Sequence, residues 1–68
     1  MPQYHVDLSC LNADKREEVY VMLRDNSFMA NRVFDNGLLV AAIVTWDSSR
    51  DFKSSGLFPT CCQCTLVH

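Results

Sequence analysis

DNGLLVAAIVTW, residues 35–46, is the stretch that decides the fold. Its last nine residues, Leu38 to Trp46, carry no charge and are rich in β-branched types. Such a run reads as a strand buried on both faces. Asn36-Gly37 stands directly before it, and both residues tolerate positive φ, so the pair predicts a tight hairpin. A helix over 38–46 would have to start out of that turn, which argues against it. Phe28 to Phe34 is then the other arm of the hairpin, apolar and β-leaning although Asn31 and Arg32 interrupt it.

Working outward, Tyr4 to Cys10 alternates. Tyr4, Val6, Leu8 and Cys10 share one side, with His5, Asp7 and Ser9 on the other, which is the pattern of a half-buried strand. Asn12 offers an oxygen to free helix N–H groups, and Asp14 falls in the first turn where the dipole favours a negative charge. Ala13 to about Arg24 are good helix formers. Val19, Met22 and Leu23 make the apolar face with Tyr20 at its edge, and Lys15, Glu17, Glu18 and Arg24 form the solvated side. Asp25-Asn26-Ser27 ends the helix, with Asn26 expected as a left-handed cap. Asp47 to Gly56 is polar and reads as a loop. Pro59 introduces a last strand over Cys61–Val67.

The order β-α-β-β-β predicts an α+β fold, a mostly antiparallel sheet with one helix packed on one face, in a single domain over residues 1–68. A right-handed crossover would also let the first strand and the strand after the helix lie side by side in parallel. A chain of this length hides only about 60% of its unfolded surface and benefits from a disulfide, a metal or a partner subunit.

One strand geometry carries the functional expectation. Leu38, Val40, Ala42, Val44 and Trp46 point one way, and Leu39, Ala41, Ile43 and Thr45 the other. A single helix covers one face, so an apolar face is left over, and such patches mark interaction sites. A protein partner or a second copy in a homodimer is expected to cover it. The alternative is that the 47–58 segment, with Phe52, Leu57 and Phe58, folds back over that face.

Composition narrows the function classes. With 49% hydrophobic and 21% charged residues, the chain is globular and not disordered. Net charge is −2, and the one adjacent basic pair, Lys15-Arg16, is followed at once by Glu17 and Glu18. Direct binding of nucleic acid, which needs clustered cations, is disfavoured. The opening MPQYHVDLS lacks the pattern of a secretory signal. The apolar run Leu38–Val44 is too short to span a bilayer, so no membrane association is expected. These features point to a cytoplasmic protein with reduced cysteines.

Three of the four cysteines stand together in CCQC, residues 61–64. On a strand, Cys62, Cys64 and His68 share a face, and His5 or Cys10 would supply a further zinc ligand. Sulfurs at i and i+2 stand roughly 7 Å apart, too far for one ion at about 2.3 Å per bond. Adjacent Cys61 and Cys62 would point to opposite faces and cannot bridge each other. Cys10 with Cys62 or Cys64 is the feasible disulfide if first and last strands pair. The favoured reading is reduced cysteines, at least two of them core residues, with no metal and no cofactor.

Other chemistry is thin. His5 and Asp7, with Asp47, offer the ligands of a small dimeric metal-dependent nuclease or nucleic-acid-binding protein of ferredoxin-like type. The plainer role of His5 and Asp7 is the polar side of a strand. The serines at 48, 49, 54 and 55 have no nearby base in sequence, and no Gly-rich phosphate loop exists. Trp46, Phe52 and Phe58 are stacking candidates without a basic groove. The expectation is a non-enzymatic protein-binding regulator or inhibitor, of the kind that phages or mobile elements carry against host defence. Its contact residues are expected at Leu39, Ala41, Ile43 and Trp46, with Glu17 and Glu18 as an acidic flank facing a basic target.

Overall fold

A computed structural model describes residues 1–67. His68, considered above as a metal ligand, lies outside the described residues. The elements are β1 (Gln3–Asp7), α1 (Ala13–Asp25), β2 (Met29–Asp35), β3 (Leu38–Thr45) and β4 (Cys64–Val67), with a single 3₁₀ turn at Phe52–Ser54. The fold is α+β: four strands in the order β2-β3-β1-β4, each pair antiparallel, and one helix on one face.

The hairpin forms as its sequence dictates. Asn36 (φ 50°) and Gly37 (φ 76°) both adopt positive φ, the combination a tight two-residue turn requires. β1 and β2 are not the parallel neighbours that a simple crossover would make. The hairpin carries β3 back between them, so each pairs antiparallel with β3. The buried strand thereby gains a hydrogen-bonding partner on both edges.

The helix starts where the side chain of Asn12 accepts the Lys15 N–H at 2.9 Å. Its end differs from the left-handed cap expected at Asn26. That residue has φ −114°, its N–H donates to the Leu23 carbonyl, and its side-chain amide donates to the Met22 carbonyl at 2.8 Å. The side chain thus satisfies an orphan carbonyl without a left-handed turn. Val19, Tyr20 and Leu23 are buried, while Met22 is half exposed at the rim. The Tyr20 hydroxyl donates to the Ala30 carbonyl at 2.9 Å and ties α1 to β2.

Arg16, assigned no role from sequence, clamps the start of the helix. Its guanidinium donates to the carbonyls of Leu11 (2.8 Å), Leu39 (3.0 Å) and Ser9 (3.1 Å). Replacing it with methionine keeps the aliphatic stem and leaves three carbonyls to water. We expect a loss of about 2 kcal/mol in urea unfolding, against at most about 0.5 kcal/mol for exposed Lys15→Met. Equal losses for the two variants would refute the clamp.

The segment after β3 folds onto the same face as the helix. Phe52 is fully buried, with ring centroids 4.8 Å from Tyr4, 4.9 Å from Trp46 and 5.3 Å from Phe58. It belongs to one continuous core with Val6, Leu8, Leu23, Ala42 and Val44. The alternative in which Phe52 and Phe58 seal the second face is therefore not realised. The last strand is also shorter than expected. Pro59 and the Cys62 N–H, which donates to the Pro59 carbonyl at 3.0 Å, make a turn over 59–62; the Asp7 N–H then donates to the Gln63 carbonyl at 2.8 Å and the strand itself runs from Cys64.

Candidate functional site

The uncovered sheet face is built in rows set by strand register. Across one end run Val67, Gln3, Thr45 and Met29; next come Thr65, His5, Ile43 and Asn31; the last row holds Asp7, Ala41 and Val33. Ile43 is half-buried at its centre, and Met29 and Val67 are exposed. Ala41 is only 2% exposed, closed in by Asp7 and Val33 on the flanking strands, and it stands apart from the core cluster. The face is a mixture of apolar and polar groups, the His5 imidazole and one carboxylate among them.

Two of the expected contact residues are elsewhere. A bulge opposite Val33 and Phe34 leaves Val40 without a β2 partner, so the side-chain alternation reverses and Leu39 packs against the core. Strict period-two reading of 38–46 misses this, because a bulge has no marker in an all-apolar run. Trp46 is a core residue at 2% exposure, and its indole N–H donates to the Arg50 carbonyl at 2.7 Å.

Glu17 and Glu18 are exposed on α1, but each carries a cation. Arg32 of β2 reaches Glu17 through its guanidinium, while the same group lies 4.3 Å from the Tyr20 ring centre. That hydrogen bond holds the Glu17 carboxyl below the usual range. Lys15 lies 3.4 Å from Glu18.

Asp7 accepts from the Ser9 hydroxyl at 2.6 Å and from the Ser9 N–H at 2.9 Å, and these bonds lower its pKa. The carboxylate thus shapes the turn after β1. Asp47 follows the opposite end of β3: Asp7 pairs with Ala41, and six residues of extended chain separate Ala41 from Asp47, about 20 Å. The pair of carboxylates considered for a metal-dependent nuclease is not assembled.

The cysteines converge in a way the strand reading did not foresee. Cys10 and Cys61, 51 residues apart, are joined by a disulfide with Cα atoms 6.2 Å apart. The Cys62 sulfur lies 3.6 Å from that of Cys10. Because 61 and 62 stand in a turn and not in a strand, neighbouring side chains point toward the same partner. The expectation of four free thiols is corrected: Cys62 and Cys64 are the free ones among the described residues, the former buried. Burial pushes both thiols up, and Asp7 adds to the effect at Cys62.

Among the described residues, no helix is long and apolar enough to cross a membrane. No protein-family profile matches the chain, and neither the curated proteins nor the solved structures contain a match to it.

Proposed function

We propose that this chain is a non-enzymatic protein-binding module that acts as a regulator or inhibitor by docking the bare face of its sheet onto a protein surface. The supporting observation is the one-sided distribution of cover. Helix α1 and the segment around Phe52 both pack on the face of Val6, Ala42 and Val44. The face of Ile43, Val33, Met29 and Val67 has no layer over it among the described residues. Its composition, with Ile43, Met29, Val33 and Val67 interspersed among His5, Asn31, Gln3 and Thr65, suits a surface that must stay soluble alone and lose water on docking. The occupant is a partner protein or a second copy of the chain. A cytoplasmic setting belongs to the proposal, and there cellular reductants would open the Cys10–Cys61 bond to two thiols.

Ile43→Arg tests the reading. Ile43 sits mid-face between His5 and Asn31 and is partly exposed on a face with no layer over it, so a long charged side chain can reach solvent, with urea stability within about 1 kcal/mol of wild type. The complex does not tolerate it, since an unpaired charge would be buried. Native mass spectrometry of protein purified from its own cells is expected to show a dimer or a bound partner for wild type and a lone chain for the variant. A lone chain in both cases, or a complex unaffected by the substitution, would defeat the proposal.

A further inference from the structure

The convergence of three cysteines at the turn after Pro59 points to a site that neither the fold nor the open face requires. We propose that, once the Cys10–Cys61 bond is reduced, Cys10, Cys61 and Cys62 form a three-thiolate site for a single zinc ion. The sulfurs all lie within 4.8 Å of one another, and those of Cys10 and Cys62 are 3.6 Å apart. A tetrahedral zinc with bonds of about 2.3 Å sets its sulfurs about 3.8 Å apart. The Cys62 sulfur therefore already stands from that of Cys10 at about the separation of two corners of that tetrahedron, while the Cys10 and Cys61 sulfurs are bonded in the oxidised chain and must part on reduction to take their places.

Thiolate ligands select zinc and other soft ions over magnesium or calcium. Cys62 is buried and anchors one corner, whereas Cys10 and Cys61 are exposed, so the fourth position falls to water on the open side. The donor set excludes Cys64, which stands on β4 beside Val6 and outside the cluster. The turn is what makes adjacent cysteines competent: the Cys62 N–H bond to the Pro59 carbonyl curls the chain so that both sulfurs face Cys10. Disulfide and zinc are alternative staples between the same two ends of the chain. Conversion requires two electrons and two protons from a reductant, giving two thiols; zinc then displaces the thiol protons to solvent.

The test uses the whole chain reduced with a water-soluble phosphine, which takes up oxygen from water as the disulfide becomes two thiols. Cobalt(II) is titrated in as a coloured substitute and then displaced with zinc(II). One cobalt per chain is expected, with the thiolate-to-cobalt charge-transfer band and tetrahedral ligand-field bands, all abolished by one equivalent of zinc. Cys62→Ser and Cys10→Ser should each weaken binding at least tenfold, and Cys64→Ser should leave it unchanged. Zinc should raise the melting temperature of the reduced wild type and not that of reduced Cys62→Ser. Folding of the latter is checked by circular dichroism in its oxidised form, where Cys10–Cys61 is intact. Absence of the charge-transfer band, one ion shared by two chains, or equal losses at Cys62 and Cys64 would each overturn the proposal.

Discussion

Phe52→Ala is expected to remove about 3–5 kcal/mol of stability, the usual cost of emptying a fully buried phenylalanine site. The ring lies among Tyr4, Trp46 and Phe58, all within 5.3 Å between centroids, so stacking contacts are lost along with apolar area. Natural domains hold roughly 0.05–0.15 kcal/mol per residue, which for 68 residues gives about 3–10 kcal/mol in total. The variant should therefore be largely unfolded, or stable only at low urea. Trp46, the sole tryptophan, contacts the ring directly, so its fluorescence reports the unfolding. Phe52→Leu keeps an apolar side chain and should lose less than half as much. A loss below about 1 kcal/mol for the alanine variant would mean that the segment after β3 is not an integral part of the core.

The second large effect concerns the staple. Closing a loop of about 50 residues lowers the entropy of the unfolded chain by an amount worth about 4 kcal/mol in the chain-entropy account. Under oxidising conditions Cys10→Ser should lose that amount, seen as a fall in the urea midpoint with a steeper slope, because the unfolded chain without the cross-link is less compact. Cys61→Ser should lose distinctly less, because the Cys62 sulfur is 3.6 Å from Cys10 and offers a substitute partner. In the presence of reductant and a chelator, wild type and Cys10→Ser should converge. Persistence of the full gap under those conditions would show that Cys10 acts through packing and not through a cross-link. Zinc without chelator should restore part of the gap in reduced wild type alone.

The comparison of expectation with structure turns on the range of the forces involved. Turn chemistry at Asn36-Gly37, the cap at Asn12 and the apolar face of Val19 and Leu23 are all local, and each is visible within a few residues. These were enough to define the α+β class, the helix and the hairpin. The strand order was not. Whether β2 or β3 sits beside β1 depends on how the hairpin swings after the helix, a choice among non-local pairings of similar local quality. The bulge at Val40 likewise arises where β3 must match β1 on one side and β2 on the other, and it moved Leu39 from the open face to the core.

The candidate site divides in the same way. That one helix leaves a sheet face bare follows from counting apolar residues along 38–46, and alternation is a property of any strand. The side on which the 47–58 segment packs was not legible, because Phe52 sits in a polar stretch, DSSRDFKSSG, whose pattern shows one apolar ring but not the face it joins. Arg16 looks like a helix-surface cation until its three carbonyl partners, from Ser9, Leu11 and Leu39, are brought together.

Alternating and helical periods, turn residues and caps thus determined the elements, since each depends on neighbours in the chain. The meeting of Cys10 with Cys61 and Cys62, and the side on which Phe52 closes the core, were decided only when distant segments packed, because side-chain direction in a turn depends on what the folded chain sets against it.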